Sequence, residues 1–416
     1  MESLFLRARW EDRDVSSSGM SIHHRIVGAL SLTQIIGGLG NGAGLAVGAL
    51  LIEDISGSAS LAGLAVTFMM IGAATVTVPL SNLALRYGRR VALGVGWALG
   101  SVGAGLAVLG AILESVPVVL LAFALFGVSS AANFQSRFAA ADRAEPASVA
   151  RSISIVVWST TVGAVVGPNL TGPGAELAAV LSLPALAGPM VISAASFALA
   201  SLSTWLLLRP EPLTNLATTH SVRPTIKDAL PHVRGDVAVG IIAITMSHVV
   251  MVSVMALTPV HMKHHEASLS IIGLTISLHI AGMYAASPVF GWLSDRWGAG
   301  RTIVLGQGLL ALACLLAGTA GDSTVQITAG LILLGLGWSA AVISGAALVT
   351  SSSDADVRPI VQGLSDLMMN VGGAVGGLLA GVIVWAWGFG TLTAIACLAL
   401  VPVLLAVFKS GSVRPN

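Results

Sequence analysis

Apolar runs long enough to cross a membrane recur along the whole chain, separated by shorter polar stretches. A helix needs about 20 apolar residues to cross the roughly 30 Å hydrocarbon core of a bilayer. Twelve windows of about that length lie near residues 25–51, 61–85, 90–113, 117–138, 152–172, 186–208, 237–260, 269–292, 301–320, 324–350, 359–386 and 389–408. The pattern predicts an all-α polytopic membrane protein with twelve transmembrane helices.

One long polar segment divides these spans into two groups of six. Residues 209–236 contain Pro210, Pro212, Pro224 and Pro231, and clustered prolines are typical of a linker. We therefore expect two six-helix bundles joined by a cytoplasmic linker and flanked by two cytoplasmic tails. The expected parts are a tail at 1–24, a first bundle at 25–208, the linker at 209–236, a second bundle at 237–408 and a tail at 409–416.

Composition supports the membrane class and argues against several others. The chain has 416 residues, of which 55% are hydrophobic and only 9% are charged, whereas soluble proteins carry about 25% charged residues. Its net charge of +1 gives no basic surface for a nucleic-acid partner. The spans contain no catalytic grouping of side chains and no phosphate-binding GxxxxGK[ST] loop. We therefore expect neither an enzyme nor a cofactor.

Positive charges in the loops predict the orientation. If both termini are cytoplasmic, all of the 20 Lys and Arg residues except Lys263 fall on the cytoplasmic side. We expect a monomer in the lipid bilayer of a bacterial cytoplasmic (inner) membrane. The opposite loops are mildly acidic and would attract a cation, since they carry Glu53, Asp54, Glu114, Glu176, Glu266 and Asp322.

The two halves of the chain repeat each other. The segment SNLALRYGRR at 81–90 aligns with GWLSDRWGAGR at 291–301, and VGAVVGP at 162–168 aligns with VGGAVGG at 371–377. Parallel repeats of this kind are the architecture of secondary transporters that work by alternating access.

These loop segments resemble those of the major facilitator superfamily over residues 25–408. The loop signature GxxxDRxG of that family is complete in the second half as Gly291, Asp295, Arg296 and Gly298. In the first half Ser81 and Leu85 replace the glycine and the aspartate. The resemblance implies a major facilitator fold in which the aspartate latches one conformation, and it leaves the latch of the first half in question.

Methionine and histidine are concentrated in residues 246–283. Residues four apart share a helix face, so Met251 pairs with Met255 on the seventh span and His279 with Met283 on the eighth. Thioether sulfur and imidazole together suit Cu(I). We predict that these four residues are the metal ligands of a path from the outer side. Nearby residues that would collect the ion first are His248, His261, Met262, His264 and His265.

A simpler interpretation of these residues is structural. Methionine is an ordinary filler of apolar helix surfaces, and a buried histidine often bonds a neighbouring helix. The paired spacing on two consecutive spans favours the metal interpretation over this one.

The two motifs together resemble those of the CcoA-like copper importers, in which MxxxM lies on the seventh helix and HxxxM on the eighth. The resemblance implies that copper is the transported substrate, that it is imported, and that it supplies cytochrome c oxidase assembly. The donor and the acceptor of the copper ion are left unidentified.

A drug and proton antiporter that exports its substrate is the first alternative. Gly163, Gly167, Pro168 and Gly172 resemble the fifth-helix GxxxGP signature of such exporters. Exporters of this type usually carry an embedded acid or arginine. We expect none in the first six spans, where Phe123 occupies the position of the exporters' arginine. Asp366, near the cytoplasmic end of the eleventh span, is the one candidate for an embedded acid, and we favour interpreting it as an interfacial polar residue.

A membrane copper sensor or donor that transports nothing is the second alternative. The complete loop signature and the internal repeat argue against it, because a sensor would not need two bundles that move against each other.

Overall fold

The computed structural model describes residues 2–57, 61, 64–213, 226–264, 266 and 269–411. Side chains are described from Ile22 onward, except at positions 46, 49, 164, 168, 226, 228, 259, 260, 263, 264, 269, 270 and 273. Every regular element in this part of the chain is helical, as the sequence predicts. The first half contains α1 (Glu2–Ser56), α2 (Leu64–Tyr87), α3 (Arg89–Ile112), α4 (Val116–Ala141), α5 (Val149–Val166), α6 (Thr171–Val180) and α7 (Gly188–Leu207).

A one-turn helix, α8 (Ile226–Ala229), precedes the second half. The helices of that half are α9 (Gly235–His264), α10 (Leu269–Tyr284), α11 (Ser287–Trp297), α12 (Ala299–Gly318), α13 (Thr324–Ser352), α14 (Arg358–Trp387), α15 (Phe389–Leu398) and α16 (Leu400–Ser410).

Eleven of the described helical stretches are long and apolar enough to cross a membrane. The first of them is Ile22–Ser56, the apolar part of α1. The fifth predicted span falls instead on α5 and α6, which are joined by a 3-10 turn at Gly167–Leu170. The chain is therefore a multi-pass, all-α membrane protein.

The chain reverses direction at glycines that occupy equivalent positions in the two halves. Gly88 separates α2 from α3 with φ 93°, and Gly298 separates α11 from α12 with φ 96°. Residues other than glycine rarely adopt a positive φ of this size, so both turns depend on glycine. The equivalence confirms that the loop repeat in the sequence corresponds to a repeated turn.

The helices form two bundles that meet along a few helix pairs. In the first half α1 packs on α5 and α7, and α3 packs on α4 and α7. In the second half α9 packs on α13 and α14, while α10 and α12 pack on α13. Contacts between the halves run along α2 with α14 and along α5 with α11, and both α10 and α13 also reach α5.

The glycines of α5 serve close packing against α1. A Cβ atom on Gly163 would meet the backbone of Gly38, and one on Gly167 would lie 2.6 Å from the Cα atom of Gly42. Small residues permit this approach of two helix backbones. Helix packing therefore accounts for the glycines of the GxxxGP signature. The side chain of Pro168 lies outside the described residues.

Candidate functional site

The two ends of the helix bundle differ in charge. The acidic end carries the loops with Glu53, Asp54, Glu114, Glu176, Glu266 and Asp322. We call the opposite end the basic end, and it carries Arg86, Arg89, Arg90, Arg143, Arg151, Arg296, Arg301 and Arg358. The basic end corresponds to the predicted cytoplasmic side.

A small cavity lies between the two halves. Helices α1, α4 and α5 line it from the first half, and α10 and α13 line it from the second. Its walls combine aromatic and aliphatic surface with two amides, two hydroxyls, an indole N–H and a guanidinium. The lining residues are Gln34, Asn133, Phe134, Arg137, Val157, Thr160, Tyr284, Trp338, Val342 and Ile343.

Gln34 provides a buried hydrogen-bond acceptor at this cavity. Its Nε2 donates to the Thr160 hydroxyl at 3.3 Å and to the Asn133 carbonyl at 3.3 Å. Its Oε1 is buried without a partner. Because buried polar atoms are nearly always hydrogen-bonded, this oxygen is available to a donor from a bound molecule.

Arg137 forms an ion pair across the two halves. It lies on α4, and its NH2 donates to Asp366 Oδ1 on α14 at 2.5 Å. Both side chains are 2% exposed. The Arg137 guanidinium also lies over the rings of Phe134 and Phe138, at 5.6 and 4.8 Å from their centroids. The pair therefore joins the halves directly beside the cavity.

The Arg137–Asp366 pair corrects two expectations from the sequence. The first six spans do contain an embedded arginine, and Asp366 is buried rather than interfacial. Arg137 lies one residue from the end of the predicted window 117–138. In the sequence it is therefore grouped with the positive loop charges that predict the orientation. Packing of α4 against α14 encloses it instead.

A second contact between the halves lies closer to the basic end. Arg89 at the start of α3 donates from Nε to Asp142 at 2.8 Å, and its NH2 donates to Gln362 on α14. The backbone N–H of Arg89 donates to Glu211 at 2.6 Å. In the first half, where Leu85 replaces the signature aspartate, Arg89 thus supplies the link to the other half.

The complete loop signature of the second half forms a third contact. Asp295 accepts from the backbone N–H groups of Ala150 at 2.9 Å and Arg151 at 2.8 Å, both in the first turn of α5. A carboxylate stabilises a helix N-terminus by bonding its free N–H groups and opposing the helix dipole. Gly291 lets α11 approach Ser154 of α5, and Arg296 lies 5.3 Å from the Trp292 ring centroid.

The predicted metal ligands lie in the interior of the second half. Met251 and Met283 belong to a large buried apolar cluster that also takes in residues of the first half, and Met255 packs against that cluster. His279 is fully buried. The two motifs lie on α9 and α10, and both of these helices pack on α13. The convergence of the four side chains on one ion stays a prediction.

The His279 ring is fixed by α13. Its Nδ1 lies 2.8 Å from the Leu331 carbonyl oxygen, and only a protonated nitrogen can donate to a carbonyl. Its Nε2 is buried without a hydrogen-bond partner. The bond to a neighbouring helix matches the structural interpretation, and the unpartnered Nε2 keeps the metal interpretation open.

The residues predicted to collect the ion occupy varied surroundings. His248 is 8% exposed, and its Nδ1 accepts from the Trp338 indole N–H at 3.0 Å. Met262 is buried, and His261 stacks on Phe389 with ring centroids 4.4 Å apart.

The seventh span is predicted to end near residue 260, but α9 continues to His264, so residues 261–264 are helical. The side chain of His264 and all of His265 lie outside the described residues. In the part of the chain that is described, no group of three or more His, Cys, Asp or Glu side chains is placed to hold a metal ion.

Sequence reasoning missed the polar residues of the cavity, which are Gln34, Asn133, Arg137 and Thr160. A usable signal was present, because an ionisable residue within a membrane span is a functional candidate by default. Arg137 meets that criterion, whereas an amide or a hydroxyl within a span is too common to single out.

The chain matches the family model described as Major Facilitator Superfamily over residues 30–270 and 240–416. It is 35% identical over 396 residues to the uncharacterized MFS-type transporter YdeG of Bacillus subtilis, with 92% of each chain covered. It is 27% identical to the riboflavin transporter RfnT of Brucella anthropi, covering 92% of this chain and 96% of RfnT. The resemblance to copper importers stays a prediction beside these relatives.

Solved structures share the fold at low sequence identity. The human organic anion transporter MFSD10 superposes with a TM-score of 0.74 at 17% identity, covering 92% of this chain and 99% of that one. The proton:xylose symporter XylE superposes with a TM-score of 0.75 at 14% identity, covering 94% and 96%. Family model, relatives and fold agree that this transporter belongs to the Major Facilitator Superfamily.

Proposed function

We propose that this transporter carries a small planar organic solute that binds in the cavity between its two halves. The observation that supports the proposal is the lining of that cavity, where Phe134, Tyr284 and Trp338 surround a few polar groups. Organic ligands bind in pockets of this kind, mostly apolar and aromatic with a small number of placed polar groups. A bare metal ion needs a tight set of donor atoms instead.

Riboflavin is the first solute to test. The relative RfnT is named a riboflavin transporter and matches this chain over 92% of its length. The flavin ring is planar and carries carbonyl oxygens beside an N–H group. Arg137 would donate to such an oxygen, and the unpartnered Gln34 Oε1 would accept from the N–H.

Uptake by the purified protein in sealed vesicles tests this proposal, with riboflavin, nicotinate and benzoate supplied separately. We expect at least one of them to accumulate inside the vesicles above empty-vesicle controls. Gln34→Leu should abolish uptake of riboflavin, the one of the three that supplies an N–H group, whereas Met255→Leu with Met283→Leu should leave uptake unchanged. If none of the three solutes accumulates, the proposed solute class is wrong.

Copper import is the second candidate, and one observation at His279 favours it. Histidines that bind metals usually donate one ring N–H to a carbonyl or carboxylate and ligate through the other nitrogen. His279 has this arrangement, since Nδ1 bonds the Leu331 carbonyl and Nε2 has no hydrogen-bond partner. The thioethers of Met251, Met255 and Met283 would complete a site for Cu(I).

Copper uptake is measured in the same vesicles with Cu(I) supplied under reducing conditions. If copper is the cargo, Met255→Leu with Met283→Leu abolishes its uptake while Gln34→Leu does not. If Gln34→Leu abolishes copper uptake and the methionine double variant does not, the cavity at Gln34 rather than the four predicted ligands is the site of transport. The same assay separates either carrier from a membrane copper sensor, which would move neither cargo.

A further inference from the structure

We propose that Arg137 binds an oxygen acceptor of the substrate, a carboxylate or an imide carbonyl, in competition with Asp366. Loading of the cavity then weakens the ion pair that holds the two halves together at the basic end. This inference rests on the proposed organic substrate, and it names that substrate's chemical class and the way its binding is sensed.

The Arg137–Asp366 ion pair leaves donors and acceptors unused. A guanidinium carries five N–H donors and commonly bonds a carboxylate through two parallel bonds. The described bond here joins Arg137 NH2 to Asp366 Oδ1 alone. Arg137 Nε and Asp366 Oδ2 are both buried without a partner. The pair is therefore incompletely satisfied, although its side chains are 2% exposed.

The cavity reaches the same guanidinium. Arg137 lines the cavity wall, while the rings of Phe134 and Phe138 lie against its guanidinium. Those aromatic faces hold a planar cation in one orientation. Gln34 Oε1, also at the cavity, offers an acceptor without a partner. A planar solute with an oxygen acceptor and an aromatic body fits this set of groups.

Competition for Arg137 has a mechanical consequence, because its partner lies on the opposite half. Arg137 belongs to α4 of the first half and Asp366 to α14 of the second. A substrate oxygen that uses the same donors lowers the strength of the bond between the halves. The remaining contacts at Arg89 and Asp295 then hold the basic end closed with less support.

Opening of the basic end is measurable at Ser154. This residue is buried where α5 meets α11, beside Gly291. The test uses the full-length chain with Cys314 and Cys397 replaced by Ala and with Ser154→Cys as the only thiol. The rate of thiol alkylation is compared with benzoate, with benzyl alcohol and without either. We expect benzoate to accelerate alkylation about fivefold or more, a typical coupling between two sites, and benzyl alcohol to have no effect.

A charge-neutral double variant separates this proposal from a purely structural ion pair. Arg137→Gln with Asp366→Asn keeps a hydrogen-bonding pair without leaving a single buried charge. If Arg137 is the receptor, this variant no longer responds to benzoate. If benzoate accelerates alkylation equally in the double variant, or has no effect on the protein with Arg137, the proposal is wrong.

A matched control breaks a different contact between the halves. Gln362→Ala removes the partner of Arg89 on the second half, leaves its bond to Asp142, and leaves the cavity lining intact. We expect a faster basal alkylation rate with the benzoate response retained. Loss of the response in this control as well as in the double variant would contradict a specific role for Arg137.

This readout is separate from transport. Vesicles that accumulate riboflavin equally well with the double variant would support the proposed solute class and overturn the role of Arg137. A benzoate response that depends on Arg137, in a protein that transports none of the three solutes, would support the receptor and refute the proposed solutes.

Discussion

The two nitrogens of the His279 ring have different surroundings. Nδ1–H donates to the Leu331 carbonyl of α13 at 2.8 Å, while Nε2 is buried without a partner. The hydrogen bond that holds the ring against α13 uses only Nδ1, whereas copper binding would use Nε2. Substitutions that separate the two nitrogens therefore distinguish the structural interpretation of this residue from the metal interpretation.

His279→Asn and His279→Ala make that separation. The asparagine amide places an N–H group near the position of Nδ1 and offers nothing at Nε2. We expect His279→Asn to change the free energy of unfolding by less than about 1 kcal/mol, and His279→Ala to lose about 2 kcal/mol through the missing bond and the space it leaves. Thermal unfolding in detergent measures both.

Competition titration with a Cu(I) chelator then tests the ligand role. If copper is bound at His279, affinity falls in both variants, including the well-folded His279→Asn. Unchanged affinity in His279→Asn would remove His279 from the predicted site.

Sequence spacing predicted which residues share a helix face, and it did not predict their partners. The four-residue interval between His279 and Met283 predicts that they share a helix face. The bond from His279 to Leu331 spans 52 positions, and the Arg137–Asp366 pair spans 229. Such partners depend on which helices become neighbours and at what height, and no local interval contains that information.

Helix elements in this protein approach one another through glycine. A Cβ atom on Gly72 of α2 would meet the Ala124 carbonyl of α4, and one on Gly127 of α4 would meet the Met69 carbonyl of α2. Reciprocal glycines therefore bring these two helix backbones into direct contact. Within a membrane, where apolar side chains gain little by leaving lipid, this close packing is a main source of helix association.

Gly127→Ala tests the contribution of this crossing, with Gly105→Ala as its matched control. We expect Gly127→Ala to lower the free energy of unfolding by about 1–3 kcal/mol, because the added methyl forces the two backbones apart. Gly105 lies in α3 and faces open space. Alanine there should be neutral or stabilise by up to about 1 kcal/mol. Thermal unfolding in detergent measures both variants. Equal effects would show that the close contact of α2 with α4 adds no stability beyond that of an exposed glycine position.

Hydropathy predicted the number and order of the membrane elements better than their ends. The seventh window closes at residue 260 because His261, Lys263 and His264 follow, but α9 continues to His264. Met262 explains the continuation, since it is buried with Ile272 and Ile327. Hydropathy reports where a chain leaves the apolar environment, whereas helix ends depend on backbone bonds and local packing.

The whole molecule is a repeat whose two halves close the basic end differently. Asp295 of the second half caps α5 of the first. At the equivalent position Leu85 is buried and apolar, and Arg89 reaches Gln362 instead. The sequence put the first-half latch in question. It did not predict the contact of Arg89 with Gln362, because Arg89 lies outside the eight-residue signature.

Asp295→Asn tests how much the remaining latch contributes to closure. The carboxylate accepts two N–H bonds at a helix N-terminus, where a charged cap is worth about 1 kcal/mol more than a weaker acceptor. Asparagine keeps one oxygen and loses the charge. We therefore expect the population with an open basic end to rise about fivefold.

Spin labels on Tyr87→Cys and Trp297→Cys, in the variant without the native cysteines, report this opening as a distance distribution. Both positions are exposed at the basic end, one in each half. Glu114→Gln removes the same charge at the acidic end and should leave the distribution unchanged. If Asp295→Asn also leaves it unchanged, the packing of Gly291 against Ser154 holds the end closed without help from the carboxylate. That packing, rather than the charge, is then what the loop signature contributes here.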